Sequence, residues 1–142
     1  MAKITVYIAD PIAIFREGIY VALTGEEDIE VVGATGIFKE AERFIKAHSP
    51  NIAILHINGG KPSGLEITRR IKLKSRPVQV ILMLDNDDDK HLFSAIKSGA
   101  SACINRAIAP DHLVSLIKEV AKGAKPKNQA LLNPSMAARI LD

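Results

Sequence analysis

Short apolar runs alternate five times with longer stretches in which apolar residues recur at helical spacing. The runs are Ile4–Ala9, Ile29–Ala34, Ile52–Ile57, Val78–Leu84 and Ala102–Asn105. Four of them are rich in β-branched residues and almost continuously apolar. Such runs suit strands covered on both faces, as in a parallel sheet. The first helical stripe is Ile14, Ile19, Val21, Ala22 and Leu23, ended by Gly25. The second is Phe38, Ala41, Phe44, Ile45 and Ala47, with Pro50 beyond its end. Leu65, Ile67, Ile71 and Leu73 follow Ser63, a natural N-cap. Asp87–Ser98 carries Leu92, Phe93, Ala95 and Ile96, with Gly99 as its left-handed stop. Pro110–Lys122 carries Leu113, Leu116, Ile117 and Val120, closed by Gly123. Alternation of this kind predicts an α/β fold: a doubly wound, five-stranded parallel sheet of (βα)5, flavodoxin-like form.

The 142 residues suffice for one domain with a core of its own. We place that domain at 1–123 and a linker at 124–142. Within the linker, Asn133 and Pro134 are suited to start a short C-terminal helix running to Leu141. A content of 47% hydrophobic and 25% charged residues excludes a disordered chain. Cys103 is the single cysteine, so neither an internal disulfide nor a cysteine metal cluster can form, and a cytoplasmic setting is expected. Lys3 is followed by about six mainly apolar residues before Asp10, shorter than a secretory signal core. No apolar run approaches the length that spans a bilayer, so no membrane partner is expected.

In an open parallel sheet, chemistry collects at the carboxyl ends of the strands. The residues to read are therefore Asp10 and Pro11, His56 and Asn58, Leu84 and Asp85, and Asn105 and Arg106. No glycine-rich turn follows the first strand, which argues against a nucleotide or flavin, and no cofactor is expected.

These stretches resemble the receiver domains of two-component response regulators, in particular the NarL/FixJ-like branch. The resemblance rests on Ile8-Ala9-Asp10 followed by Phe15-Arg16-Glu17-Gly18, on Asp28 to Gly33, and on Ser49-Pro50-Asn51. It continues through Ser63-Gly64-Leu65-Glu66, Asp87-Asp88-Asp89, Ser98 to Ser101 and Leu132 to Ser135. It implies a phosphorelay module, in transcription regulators joined to a DNA-binding effector beyond the linker. Four of the five positions that carry the family's chemistry differ here. Asp10 keeps the first of two acidic positions that hold Mg²⁺, and Pro11 takes the second. His56 stands where the phosphoacceptor aspartate is implied, Leu84 where a hydroxyl residue reads the phosphoryl group, and Arg106 where a lysine contacts it.

Mg²⁺ takes oxygen ligands in octahedral geometry, and one carboxylate of the implied pocket remains, so no metal is expected. An imidazole cannot form an aspartyl phosphate, and leucine has no hydroxyl to bond a phosphoryl oxygen. His56 is read as filling the pocket, paired with Asp10 or held near Arg106; phosphohistidine is the alternative. Arg106 is expected to bond Asp10 and replace the metal's charge with a fixed one. The acidic run Asp85, Asp87, Asp88, Asp89 reads as helix capping rather than a cation site. Arg69, Arg70, Lys72, Lys74 and Arg76 read as cations at a helix end, with a nucleic-acid patch as the competing reading. Cys103 reads as a buried inert thiol, and His48, His91 and His112 as surface residues.

Receiver domains commonly dimerise or signal through a surface formed by the fourth and fifth helices and the fifth strand, or through the first and fifth helices. Phe93, Ile96, Ile108, His112 and Ser115 fall near the first of these. The chain is thus expected to be a non-enzymatic, phosphorylation-independent receiver that binds a protein partner or a second copy. DNA would be reached through an effector domain beyond this sequence. A still switchable receiver, answering a ligand or phosphoryl group at the His56 pocket, is the alternative. A small enzyme of the same fold lacks a nucleophile–base pair to support it.

Overall fold

The structure, a computed structural model, describes residues 2–85 and 89–123, with only the backbone of 89 and 90. Five strands alternate with five helices: β1 Ile4–Ala9, α1 Ala13–Thr24, β2 Ile29–Thr35, α2 Phe38–His48, β3 Ile52–His56, α3 Gly64–Leu73, β4 Gln79–Leu84, α4 Asp89–Lys97, β5 Ala102–Asn105 and α5 Pro110–Ala121. The strands form one parallel sheet in the order β2-β1-β3-β4-β5. This is the flavodoxin-like doubly wound order, whose winding reverses between β1 and β3. The predicted strands and helices are all present; the expected start of α4 and the expected helix from Pro134 to Leu141 lie outside the described residues.

Strand alternation splits the core into two halves. Tyr7, Ala9, Leu55, Val80, Leu82 and Leu84 face α2, α3 and α4. Val6, Ile8, Ile54, Ile81, Met83 and Ile104 face α1 and α5. Burial of both strand faces is why the runs read as continuously apolar rather than alternating. The α1 stripe is narrower than expected. Ile19 and Leu23 are buried, whereas Ile14 and Val21 are 75% and 67% exposed. The helical face fixed by Ile19 and Leu23 leaves Ile14 and Val21 turned outward, a distinction invisible when every candidate is aliphatic.

Local signals are met where backbone needs are specific. Ser63 caps α3 in a reciprocal box: its hydroxyl accepts from the Glu66 amide, and its own amide donates to the Glu66 carboxylate. Gly99 takes φ +93° after α4, a left-handed stop. At Gly64 the constraint is space, because a Cβ there would lie 2.2 Å from the His56 carbonyl oxygen. The start of α3 thus sits directly against the end of β3.

Gly64→Ala is expected to lower unfolding free energy by about 2 kcal/mol or more, since a backbone carbonyl must move. Gly18→Ala, at an exposed helical site with nothing within 4 Å, is expected to raise it by about 0.5–1 kcal/mol. Urea denaturation of both variants checks the pair; equal effects would contradict the packing described. Cys103 is buried, and burial pushes its thiol up to about 12. A thiol reagent at pH 8 should leave the folded chain unmodified and label it only after unfolding; rapid labelling of folded protein would contradict that burial.

Candidate functional site

Four consecutive strand ends converge on one cluster. Asp10 follows β1, His56 ends β3, Asp85 follows β4 and Arg106 follows β5. Asp10 is buried, with 1% exposure. Its Oδ1 accepts the Ile12 amide at 2.8 Å, closing the turn into α1, and its carbonyl accepts from Arg16 Nη1 at 2.7 Å. A carboxylate this deep needs a counter-charge. Arg106 supplies it through Nη2, which donates to Asp10 Oδ1 at 2.7 Å.

Arg106 is also held from two other directions. Its Nη1 donates to Asp85 Oδ1 at 3.0 Å. Its guanidinium carbon lies 4.3 Å above the Phe15 ring on α1, a cation–π contact. The guanidinium therefore reaches from β5 past β4 and β3 to β1. The Asp10 bond is single rather than a two-bond fork, since Asp10 Oδ2 and Arg106 Nε, both buried, have no hydrogen-bond partner among the described residues.

His56 is fixed at both ring nitrogens. The Asn58 amide donates to Nδ1 at 3.2 Å, so Nδ1 presents its lone pair and the proton sits on Nε2. Nε2–H then donates to Asp85 Oδ1 at 3.1 Å. Asp85 Oδ1 thus receives both His56 and Arg106. The Asn58 side chain reaches on to His91 of α4, with Nδ2 and Nε2 3.2 Å apart.

The structure brings together three of the five residues expected to form the pocket: Asp10, His56 and Arg106. Leu84 is buried in the apolar half facing α2, α3 and α4, and Pro11 is exposed, leading into α1. The expected Asp10–Arg106 bond is present. His56 is near Arg106 as expected, but its partner is Asp85 rather than Asp10. Asp85 is the correction of most consequence. Read as part of a helix-capping run, it instead bridges His56 and Arg106. Its place one residue beyond a strand puts it among the residues to read, but its neighbouring aspartates give no sign of a bridging role. The rest of that acidic run lies outside the described side chains.

Whether this donor set suits a divalent ion follows from its chemistry. Asp10 offers the one strand-end carboxylate of the implied pair, its charge is already met by a guanidinium, and Pro11 offers no side-chain oxygen. His56 Nδ1 is occupied by a backbone amide. Among the described residues, no three His, Cys, Asp or Glu side chains stand close enough to share a metal ion. The residues do not fit an octahedral oxygen site for Mg²⁺.

Of the expected interaction residues, Phe93 and Ile96 on α4 are 55% and 41% exposed, and Lys97 Nζ sits 4.5 Å over the Phe93 ring. His112 and Ser115 on α5 are exposed. Ile108 is half-buried against the half-core facing α1 and α5. It lines a cavity of about 200 Å³ with Phe15, Met83 and Leu113, and so turns away from α4. Of the remaining histidines, His48 is exposed and His91 is half-buried. Among the described residues no helix is long and apolar enough to cross a membrane.

Comparison with known proteins agrees with this architecture. The response regulator receiver domain family matches residues 6–118. The transcriptional regulatory protein DegU of Brevibacillus brevis is 30% identical over 121 residues, covering 85% of this chain and 51% of DegU. The oxygen regulatory protein NreC of Staphylococcus epidermidis is 29% identical over 119 residues, 83% of this chain and 55% of NreC. The chain thus spans about half the length of these relatives. Among solved structures, the receiver domain of the putative response regulator NarL from Mycobacterium tuberculosis superposes with a TM-score of 0.82 at 26% identity, covering 87% of this chain and 99% of that one. With its 2-1-3-4-5 sheet and its charged cluster at the strand ends, the chain belongs to the response regulator receiver domains.

Proposed function

We propose that this receiver works without phosphorylation, as a protein-interaction and dimerisation module of a transcription regulator. The observation that carries the reading is Arg106, bonded at once to Asp10 and Asp85 and stacked on Phe15. A phosphoryl-responsive pocket needs a free carboxylate at the end of β3 and room for a cation beside Asp10. Here the β3 position is an imidazole engaged at both nitrogens, and the place beside Asp10 is taken by a guanidinium. Leu84, in the core, has no hydroxyl to follow a phosphoryl oxygen. The cluster ties the ends of β1, β3, β4 and β5 in one arrangement, so the output surface is held in one state rather than switched.

For that surface the reading takes α4, β5 and α5, where Phe93 and Ile96 offer exposed apolar area beside His112 and Ser115. The membership in transcription regulators is supported by relatives such as DegU, named a transcriptional regulatory protein. DNA contact by the whole regulator would run through an effector domain. The geometry disfavours the alternative, a pocket still switched through His56: either ring nitrogen must first break a hydrogen bond to act as nucleophile.

Two outcomes are expected. Sedimentation of the chain should be unchanged by Mg²⁺ with beryllofluoride, and mass spectrometry under adduct-preserving conditions should show no phosphoryl group after acetyl phosphate. A shift in assembly or a His56 adduct would favour the switchable reading. Arg106→Ala, which leaves Asp10 buried without its counter-charge, is expected to cost about 3 kcal/mol or more and to weaken self-association or partner binding. Adding Asp10→Asn should recover at least about 1 kcal/mol. Unchanged stability and unchanged binding in Arg106→Ala would refute the lock.

A further inference from the structure

Seven of the nineteen lysines and arginines line two adjoining clefts between α2 and α3. Along α2, Lys39, Arg43 and Lys46 are exposed at i, i+4 and i+7, one stripe roughly 10 Å long. Facing them across a cleft of about 720 Å³ are Lys61, Glu66 and Arg70. The cleft continues into a smaller one reaching Lys74 and Arg76 at the end of α3. Together the two clefts are lined by seven cations and two anions, Glu42 and Glu66. That is +5 on one face of a chain whose total is +3, so all other residues together carry −2. Both anions are already spent on Arg70, which donates to Glu42 at 2.9 and 2.8 Å and lies 3.8 Å from Glu66. Lys39, Arg43, Lys46, Lys61 and Lys74 form no ion pair among the described residues.

We infer that this α2–α3 face binds the phosphate backbone of duplex DNA, without reading its sequence. The character of the cleft selects the occupant. Its lining is charged throughout apart from Pro62, whereas protein interfaces centre on apolar and aromatic anchors and are poor in lysine. No aromatic residue lines it, and single-stranded nucleic acid is gripped by stacking bases on aromatic rings. An interfacial membrane site needs an apolar face beside its cations; α3 exposes only Leu73 there. The smaller cleft has Ile45, Ile67 and Ile71 at its base, so its apolar residues lie beneath the cations rather than among them. What fits two cationic walls of this kind is a dense line of fixed negative charge, and a duplex carries one charge per roughly 1.7 Å of axis. The choice of DNA over RNA rests on the proposed place of the chain in a transcription regulator. None of the lining residues belongs to the Arg106 cluster or to α4, β5 or α5, so the face would add a sequence-independent grip to whatever contact an effector makes.

The test is fluorescence anisotropy of the 142-residue chain with a labelled 20-base-pair duplex of arbitrary sequence, titrated at several salt concentrations. Binding at low salt is expected, equal for unrelated sequences, with a log–log salt slope of about −4.5 if all five cations meet phosphates. Lys39→Glu, Arg43→Glu and Lys46→Glu combined, with folding checked by circular dichroism, should weaken binding at least tenfold and flatten the slope by about 3. Lys122→Gln, just past α5 in the opposite layer, should change the affinity less than twofold. No binding at low salt, or an unaffected triple variant, would overturn the inference. So would tighter binding of an RNA duplex of equal length, or cosedimentation with phosphatidylserine vesicles that the triple variant loses while DNA binding stays absent. None of these outcomes bears on the sedimentation test of phosphorylation independence, so the two readings fail separately.

Discussion

A buried carboxylate at the end of the first strand sets the terms for the whole upper edge of this domain. Asp10 is enclosed by the turn into α1 and by the neighbouring strand ends, where an unpaired charge would cost several kcal/mol. In a fold whose parallel strands all end on the same edge, the compensating charge must come from another strand end. Arg106 provides it from the far end of the sheet, and the distance it must cover has consequences. Its path crosses β4 and β3, so Asp85 and His56 are drawn into the same set of bonds. Phe15 supplies a floor for the guanidinium and so ties α1 to the cluster. One electrostatic requirement thereby couples four strands and a helix.

The rest of the fold allows that edge its polarity because burial is settled elsewhere. The two half-cores lie on opposite sides of the sheet and draw on all five helices. Neither depends on the polar cluster for its packing. Leu84 shows where the boundary runs: one residue before Asp85, it belongs wholly to the apolar half facing α2, α3 and α4. A hydroxyl at that position would face either the core or the cluster. Leucine commits it to the core, which adds apolar area and removes a polar group from the edge.

How much of this can be read from residues alone depends on what kind of signal each carries. The strands were legible because burial on both faces leaves unbroken runs such as Ile52–Ile57 and Val78–Leu84, and because Ser63, Gly99 and Gly123 mark helix ends by backbone chemistry. Asp10 and Arg106 were legible as a pair, since each follows a strand and they carry opposite charge. Asp85 was legible as a strand-end residue but not as the bridge, because an aspartate ahead of three more looks like capping. Distances between strand ends depend on strand order, which periodicity does not contain. The same limit explains α1, where Ile14 and Val21 read as core until the neighbouring helix is placed. The basic residues at the end of α3 were visible, but not the cations of α2 that face them. Two helices separated by a strand become the walls of one cleft only after the sheet is wound.

The charge distribution that results is uneven in a way the fold explains. At the strand ends, two aspartates surround one arginine, whose two terminal nitrogens are both bonded to them. On the α2–α3 side the relation is inverted: one arginine pairs with two glutamates, and the six other lining cations form no ion pair among the described residues. Repulsion among those cations disfavours the compact state somewhat, and the packing of Ile45, Ile67 and Ile71 beneath them must offset it. A loss of even part of that repulsion on meeting a polyanion is a gain for the complex. The face therefore favours binding through a cost already carried by the free domain, whereas the Arg106 cluster, with its guanidinium bonded on both sides, offers no such gain. That difference is the physical reason for looking to the α2–α3 face for new contacts and to the strand-end pocket for rigidity.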